Sequence, residues 1–179
     1  MSLNVIDNIL HKCLWALTET FSDRTRIIKV DGQDYLRRFY ITPRRLDEFG
    51  EDTEKHLGFG LYIHYFYRGD EDRELHNHPW ETALSFILTG GYHEERKDGD
   101  KTSKIIEHDI RRYTFNRINH NTFHRVTKRE GSGHIWTIFF TGKRVQDWGF
   151  WDKDTNEYIP HKDFIDHRDQ GYKQKENER

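Results

Sequence analysis

From about residue 26 onward the chain is a train of short segments rich in β-branched and aromatic residues, each cut off by Gly, Asp or Asn. "RIIKV" runs through "DGQ" into "YLRRFYI", a hairpin signal. "LGFGLYIHYFYR", "ALSFILT", "YHEERK", "SKIIEH", "RRYTFN", "HRVTK" and "HIWTIFFTG" follow, and "GFWD" and "EYIP" close the series. Turn signals recur about every 8–12 residues, which gives roughly eight to ten strands and predicts an all-β sandwich or small barrel. One segment departs from this texture. Over residues 3–21, Val5, Ile6, Ile9, Leu10, Cys13, Leu14, Leu17 and Phe21 recur at three- and four-residue steps, the period of an amphipathic helix. That stripe is expected to lie on a sheet, with Cys13 as a core filler; a homodimer contact is the alternative. A chain of 179 residues suits one domain. The expected division is a helix over 1–25, a β domain over 26–165 and a charged, disordered tail over 166–179.

Composition narrows the partners. Aromatics at 15% argue for a packed core although charged residues reach 34%. A net charge of −2 gives no electrostatic footprint for nucleic acid. The single cysteine excludes an intramolecular disulfide and a Cys-rich zinc site, and fits a reducing, cytoplasmic compartment. The N-terminal segment lacks a basic n-region, and no apolar run of about 18 residues occurs, so neither a signal peptide nor a membrane partner is expected.

The stretch "LHNHPWETALSFILTGGY" carries the chemistry. On a strand, residues i and i+2 share a face, so His76 and His78 project side by side toward one point. In a chain with 12 histidines such a pair alone says little. This pair, however, precedes a buried-type strand that ends at Gly90-Gly91, a tight turn into the next strand. A third histidine, His124, opens an alternating strand in "NHNTFHRVT", after a turn in which Asn119 and Asn121 tolerate φ > 0. Two histidines on one strand and one on a neighbouring strand form a facial set, with the opposite side left for water or substrate.

With these motifs in place, the chain resembles the cupin superfamily, from about residue 35 to 150. The first cupin motif matches "HNHPWETALSFILTGG"; the second matches "NHNTFH" at His124, with Asn119 and Asn121 where proline and glycine would stand. The "HxHPW" start and "DWGFW" ending look closest to small single-domain cupins of bacteria and their phages. The resemblance implies a double-stranded β-helix, the cupin jelly-roll barrel, with a divalent metal in its mouth: most often Fe2+, with Zn2+, Mn2+ or Ni2+ in other members. The usual glutamate ligand falls four or five residues after the second histidine, at Thr82 or Ala83, neither of which can serve. Glu81 sits one or two positions early. Either Pro79-Trp80 bends it to the metal, or it orients His76 or His78 or faces solvent, and the site is a three-histidine one like that of the cysteine dioxygenase branch.

Other residues carry weaker signals. His64 shares a strand face with Tyr62, Phe66 and Arg68; it is a candidate catalytic proton donor or an ordinary strand histidine. His120 reads as a rim residue, His93 and His134 as exposed or edge positions. Trp80 and the "QDWGFW" aromatics either wall a pocket or plug the barrel end. The doublets Arg37-Arg38, Arg44-Arg45 and Arg111-Arg112 each place one arginine on either face of a strand, and an inward one can clamp an anion. The resemblance implies an Fe(II) dioxygenase acting on a small anionic metabolite. A metal-dependent isomerase or hydrolase, a non-catalytic ligand- or metal-binding module and a metal-free structural barrel are the alternatives.

Overall fold

The computed structural model describes residues 3–20, 24–30, 32–42, 58–69, 74–98, 104–128, 133–152 and 155–163. The expected tail, Arg44-Arg45 and Phe21 lie outside these residues. The helix α1 (Leu3–Glu19) is followed by twelve strands: β1 (Thr25–Val30), β2 (Gln33–Tyr40), β3 (Gly60–Phe66), β4 (Leu75–His76), β5 (Thr82–Thr89), β6 (Gly91–Asp98), β7 (Ile106–Arg111), β8 (Phe115–Asn119), β9 (Thr122–Lys128), β10 (Ile135–Thr141), β11 (Gly149–Asp152) and β12 (Glu157–Pro160). They form two six-stranded sheets, ordered β1-β2-β3-β10-β5-β8 and β12-β11-β4-β9-β6-β7, with every pairing antiparallel. This is a β-sandwich consistent with a jelly roll. Among the described residues no helix is long and apolar enough to cross a membrane.

The "DGQ" signal is a hairpin, with Val30 opposite Gln33 and Gly32 at φ +73°. Gly90-Gly91 does something different. It joins β5 in the first sheet to β6 in the second, so it is a corner between sheets. Gly90 has φ +66° and Gly91 φ +151°, and a Cβ on Gly91 would stand 2.7 Å from the Ile110 carbonyl oxygen. The turn before His124 is also a sheet-to-sheet corner, but neither Asn119 nor Asn121 has a positive φ. Instead the Asn119 side-chain oxygen accepts from the Asn121 N–H at 2.8 Å and the Thr122 hydroxyl at 3.2 Å. Likewise "RRYTFN" is not one strand: Arg112–Thr114 turn, with Tyr113 at φ +61°, before β8 begins.

Alternation explains how the sheets close on one another. Leu36 on β2, Phe66 on β3, Ile87 on β5 and Ile135 on β10 meet Tyr92 on β6 and Val126 on β9 in one buried cluster. A second cluster, Trp80, Ala83, Ile118 and Phe139, fills the other end beside the histidines.

The helix packs on the outer face of the first sheet, with Leu14 of the expected stripe in the contact but most of that stripe turned away. Val5, Ile9, Leu17 and Cys13 are exposed, so Cys13 is not a core filler. The docked face is His11, Leu14, Trp15 and Thr18: Leu14 and Trp15 pack on Phe39, Ile63 and Trp136. The His11 ring stacks on His134 at 3.5 Å, and its Nδ1 accepts from the Trp136 indole N–H at 3.1 Å. Thr18 is fully buried because its hydroxyl donates back to the Leu14 carbonyl at 2.8 Å, leaving only a methyl to pack. Arg112 ties Asp7 to the sheet at 2.8 Å. A stripe of polar and aromatic side chains outcompetes the more aliphatic one because its partners on the sheet are rings and hydrogen-bond donors such as the Trp136 indole N–H. His134 is accordingly neither an edge nor an exposed residue.

Candidate metal centre

His76 ends β4 and faces His124 of β9 directly across the ladder. His78 lies two residues beyond His76, on the same side of an extended chain. One ligand atom from each of the three lies within 4.8 Å of the other two. The Nε2 atoms of His78 and His124 stand 2.8 Å apart, and the three ring centroids are separated by 4.9, 5.0 and 5.2 Å. His76 and His124 are buried and His78 half-buried.

The segment around them is fastened. Asn77, between the two histidines, donates its N–H to the Gly149 carbonyl at 3.0 Å and accepts from the Gly149 N–H at 2.9 Å. Its side-chain amide donates to the His120 carbonyl at 3.1 Å. Gln146 donates to that same carbonyl at 2.8 Å and to the His78 carbonyl at 3.3 Å. The His120 carbonyl thus joins three chain segments.

The acid that serves the cluster is one the sequence reading did not single out. Glu94, on β6, is wholly buried, and its Oε1 accepts from His124 Nδ1. Its Oε2 accepts from Arg96 at 3.0 Å and from the Asn116 amide at 2.8 Å, while Arg96 also donates to the Asn116 side-chain oxygen. Burial alone pushes the Glu94 carboxyl up; the His124 imidazole and then the Arg96 guanidinium more than offset this, and hold it at about 2. The bond to Nδ1 fixes the His124 tautomer and turns its Nε2 lone pair toward the other histidines. The signal available in the sequence was alternation. Adjacent Glu94 and Glu95 on one strand cannot both face solvent, and Glu95 takes the outer side, with Arg125 at 2.8 Å.

Glu81 does not join the cluster. It is exposed, and its N–H donates to the Lys143 carbonyl at 2.8 Å. His76, His78 and Trp80 turn to the interior at even positions; on β5 the buried positions are odd, starting at Ala83. The switch of parity falls at Glu81-Thr82, the corner where the chain passes from one sheet to the other, and leaves Glu81 outside. The donor set is therefore three imidazoles with a carboxylate behind one of them. That set suits a divalent transition metal: its nitrogens converge, one tautomer is fixed, and one side stays open.

The open side is a cavity of about 260 Å³, lined by the three histidines together with Arg38, His64, Trp80, Ile118, Phe139 and Trp148. Trp80 stacks on His78 at 5.3 Å. The "QDWGFW" aromatics separate. Trp148 lines the cavity and stacks on His161 at 4.6 Å, Phe150 packs 6.2 Å from His76, and Trp151 is buried on the other face with Leu75 and Phe123. His64 is 4% exposed and accepts from the Arg38 Nε–H at 3.0 Å. Burial, then the charges of Arg38 and His78, keep its imidazole well below the usual range and neutral at pH 7. Arg37 points the other way, over Trp15 and Phe39 and 3.8 Å from Glu19, and Arg111 pairs with Asp109 at 2.8 Å. His93 is exposed, as expected.

No protein-family profile and no curated protein matches the chain. Solved structures do. FeII HppE in complex with substrate superposes with a TM-score of 0.50 at 16% identity, covering 68% of this chain and 57% of that one. Hydroxypropylphosphonic acid epoxidase from S. wedmorenis gives a TM-score of 0.47 at 16% identity, covering 66% and 56%. Recombinant oxalate oxidase in complex with glycolate gives 0.46 at 15%, covering 70% and 59%. HppE and oxalate oxidase are cupin-fold enzymes, and this chain spans less than two thirds of the length of each. The likeness to HppE is one of fold.

Proposed function

We propose that this protein is a metal-binding cupin, and that it works as an Fe(II)-dependent dioxygenase on a small anionic metabolite. The convergence of His76, His78 and His124 on one wall of a closed-in cavity carries the reading. Iron is favoured because the HppE structure that shares the fold holds Fe(II). Bound there, the metal would supply a site at which O2 and a chelating substrate meet.

The chain's own residues have separate tasks. His76, His78 and His124 hold the ion; Glu94 keeps His124 in the tautomer that presents Nε2. All three ligands are neutral, so the site retains the ion's full 2+ charge and attracts an anion. Trp80, Ile118 and Phe139 exclude water and lower the local dielectric, which strengthens that attraction. His64 lines the same cavity as a neutral imidazole. With Nε2 accepting from Arg38, its proton resides on Nδ1, and it acts as a hydrogen-bond donor to the substrate.

The test is metal content. Protein purified without chelator is expected to hold one ion per chain, lost in His78→Ala and in His124→Ala. Absence of metal under every loading condition overturns the reading. Metal-dependent O2 consumption then separates an enzyme from a binder, and a native zinc centre with no O2 uptake overturns the dioxygenase assignment.

A further inference from the structure

We propose that Arg38, oriented by His64, forms an oxyanion-binding pole in the metal-site cavity, and that the ligand is a small monocarboxylic acid with an apolar body. The proposal deepens the function proposed above. It rests on that reading for which end of the ligand meets the metal, while the anion pole stands on its own residues.

Strand alternation places the cation. Leu36 and Tyr40 are buried on either side of Arg38 along β2, and Arg38 is register-paired with His64 of β3, so both side chains enter the interior. Arg38 is half-buried, as is Arg96, and Arg96 has Glu94 as its carboxylate. Arg38 has none among the described residues. Its contacts there are the Nε–H bond to His64 and the Tyr62 ring, 5.1 Å from the guanidinium carbon. The Nε bond orients the guanidinium and leaves its terminal N–H groups for another acceptor. The same bond sets the His64 tautomer: Nε2 is taken by Arg38 and the proton lies on Nδ1, on the side of the ring away from the guanidinium. A guanidinium fork held in this way matches a carboxylate in shape and in charge. Arg26 also lines the cavity, but it is exposed and its field is screened by water.

The rest of the wall selects the body. Leu36, Phe66, Ile118 and Phe139 make it mainly apolar, with Ser85 and Asn116 as polar exceptions, and about 260 Å³ admits a small molecule. Phe139 lies between the two poles. The Phe139 ring is 4.9 Å from that of His64 and 6.3 Å from that of His78. In the metal-free chain one fixed guanidinium compensates one negative charge, which favours a monocarboxylate over a dianionic phosphonate.

Phenylacetate, phenylacetamide and benzylphosphonate test this, titrated by tryptophan fluorescence into the full chain loaded with Ni2+ and into the metal-free chain. Phenylacetate is expected to bind at least tenfold more tightly than its amide and, in the metal-free chain, more tightly than the phosphonate. Arg38→Met and Arg38→Gln should each reduce the acid-over-amide preference to twofold or less, while exposed Arg117→Met keeps it. Equal binding of acid and amide, no binding of the acid, a preference that survives both Arg38 variants, or tighter phosphonate binding by the metal-free chain each overturns the proposal. Metal content measured on the same samples keeps the two readings apart. A chain that holds no metal but keeps the Arg38-dependent preference refutes the metal centre alone. A chain that holds metal without that preference refutes the anion pole alone.

Discussion

Replacing Glu94 by glutamine keeps the shape of the side chain behind His124 and removes its charge. In the native arrangement Oε1 accepts from His124 Nδ1, and Oε2 accepts from Arg96 at 3.0 Å and Asn116 at 2.8 Å. A glutamine oxygen still accepts from one of these donors, but its amide nitrogen then faces another donor. The His124 ring loses the anion that raises the basicity of Nε2. Loss of such a partner weakens metal binding by about 10–100-fold, or about 1.4–2.7 kcal/mol. Stability falls too, because Arg96 loses its carboxylate. With its side chain 19% exposed and Asn116 still bonded, that loss belongs at or below the lower end of the about 3–5 kcal/mol typical of a broken buried pair. The assay is competition for Zn2+ or Ni2+ against a chelator of known affinity, on protein checked for folding by tryptophan fluorescence. Glu95→Gln, on the outer side of the same strand, is the control and should bind as wild type. A folded Glu94→Gln protein with affinity within twofold of wild type would refute the assignment of Glu94 as the residue that orients His124.

Other perturbations have equally definite outcomes. Glu81→Ala should leave metal stoichiometry and affinity unchanged, because the side chain is exposed at the inter-sheet corner; a lost ion in that variant would restore Glu81 as a ligand. Gly91→Ala should destabilise the fold by about 1–3 kcal/mol in urea, since φ is +151° and the added Cβ meets the Ile110 carbonyl oxygen at 2.7 Å; an unchanged midpoint contradicts this. The pH dependence follows from His64, whose folded pKa lies below the ordinary 6.5 through burial, then Arg38 and His78. The unfolded chain therefore takes up that proton first, so the contribution is complete above about pH 6.5 and is lost as pH falls below it. In the metal-free protein the urea midpoint should fall from pH 7 to pH 5 more steeply for wild type than for His64→Phe; parallel curves refute the assignment.

The parts of this molecule that were legible in the sequence are those with a local period. The i, i+2 spacing of His76 and His78 and the turn chemistry of "DGQ" each require only neighbours along the chain, and both appear as read. His124 was reached by order and texture, and the ladder sets it opposite His76. What stayed hidden depends on parity across corners. Glu81 and Ala83 look like neighbours of one strand face until the chain changes sheet between Trp80 and β5. Glu94 cannot be told from Glu95 without knowing that β6 lies beside β9. The helix was misjudged in part for another reason: summed apolarity chose the Val5-Ile9-Leu17 side along with Leu14, whereas a receptor of aromatic rings with a donating indole N–H takes His11, Leu14, Trp15 and Thr18.

The bolting of Asn77 has a thermodynamic consequence. The residue between two of the three histidines is fixed by two backbone-anchored bonds to Gly149 and one to His120, and Gln146 donates to the carbonyls of His78 and His120. At about 1 kcal/mol each, these bonds order the segment without help from an ion. Small zinc domains that are unfolded until metal arrives gather their ligands from a disordered chain, and so their binding energy is folding energy. Here the ligands are already gathered. Removing the ion should leave far-ultraviolet dichroism and the cooperativity of unfolding intact, and metal uptake should show the small heat-capacity change of a rigid receptor.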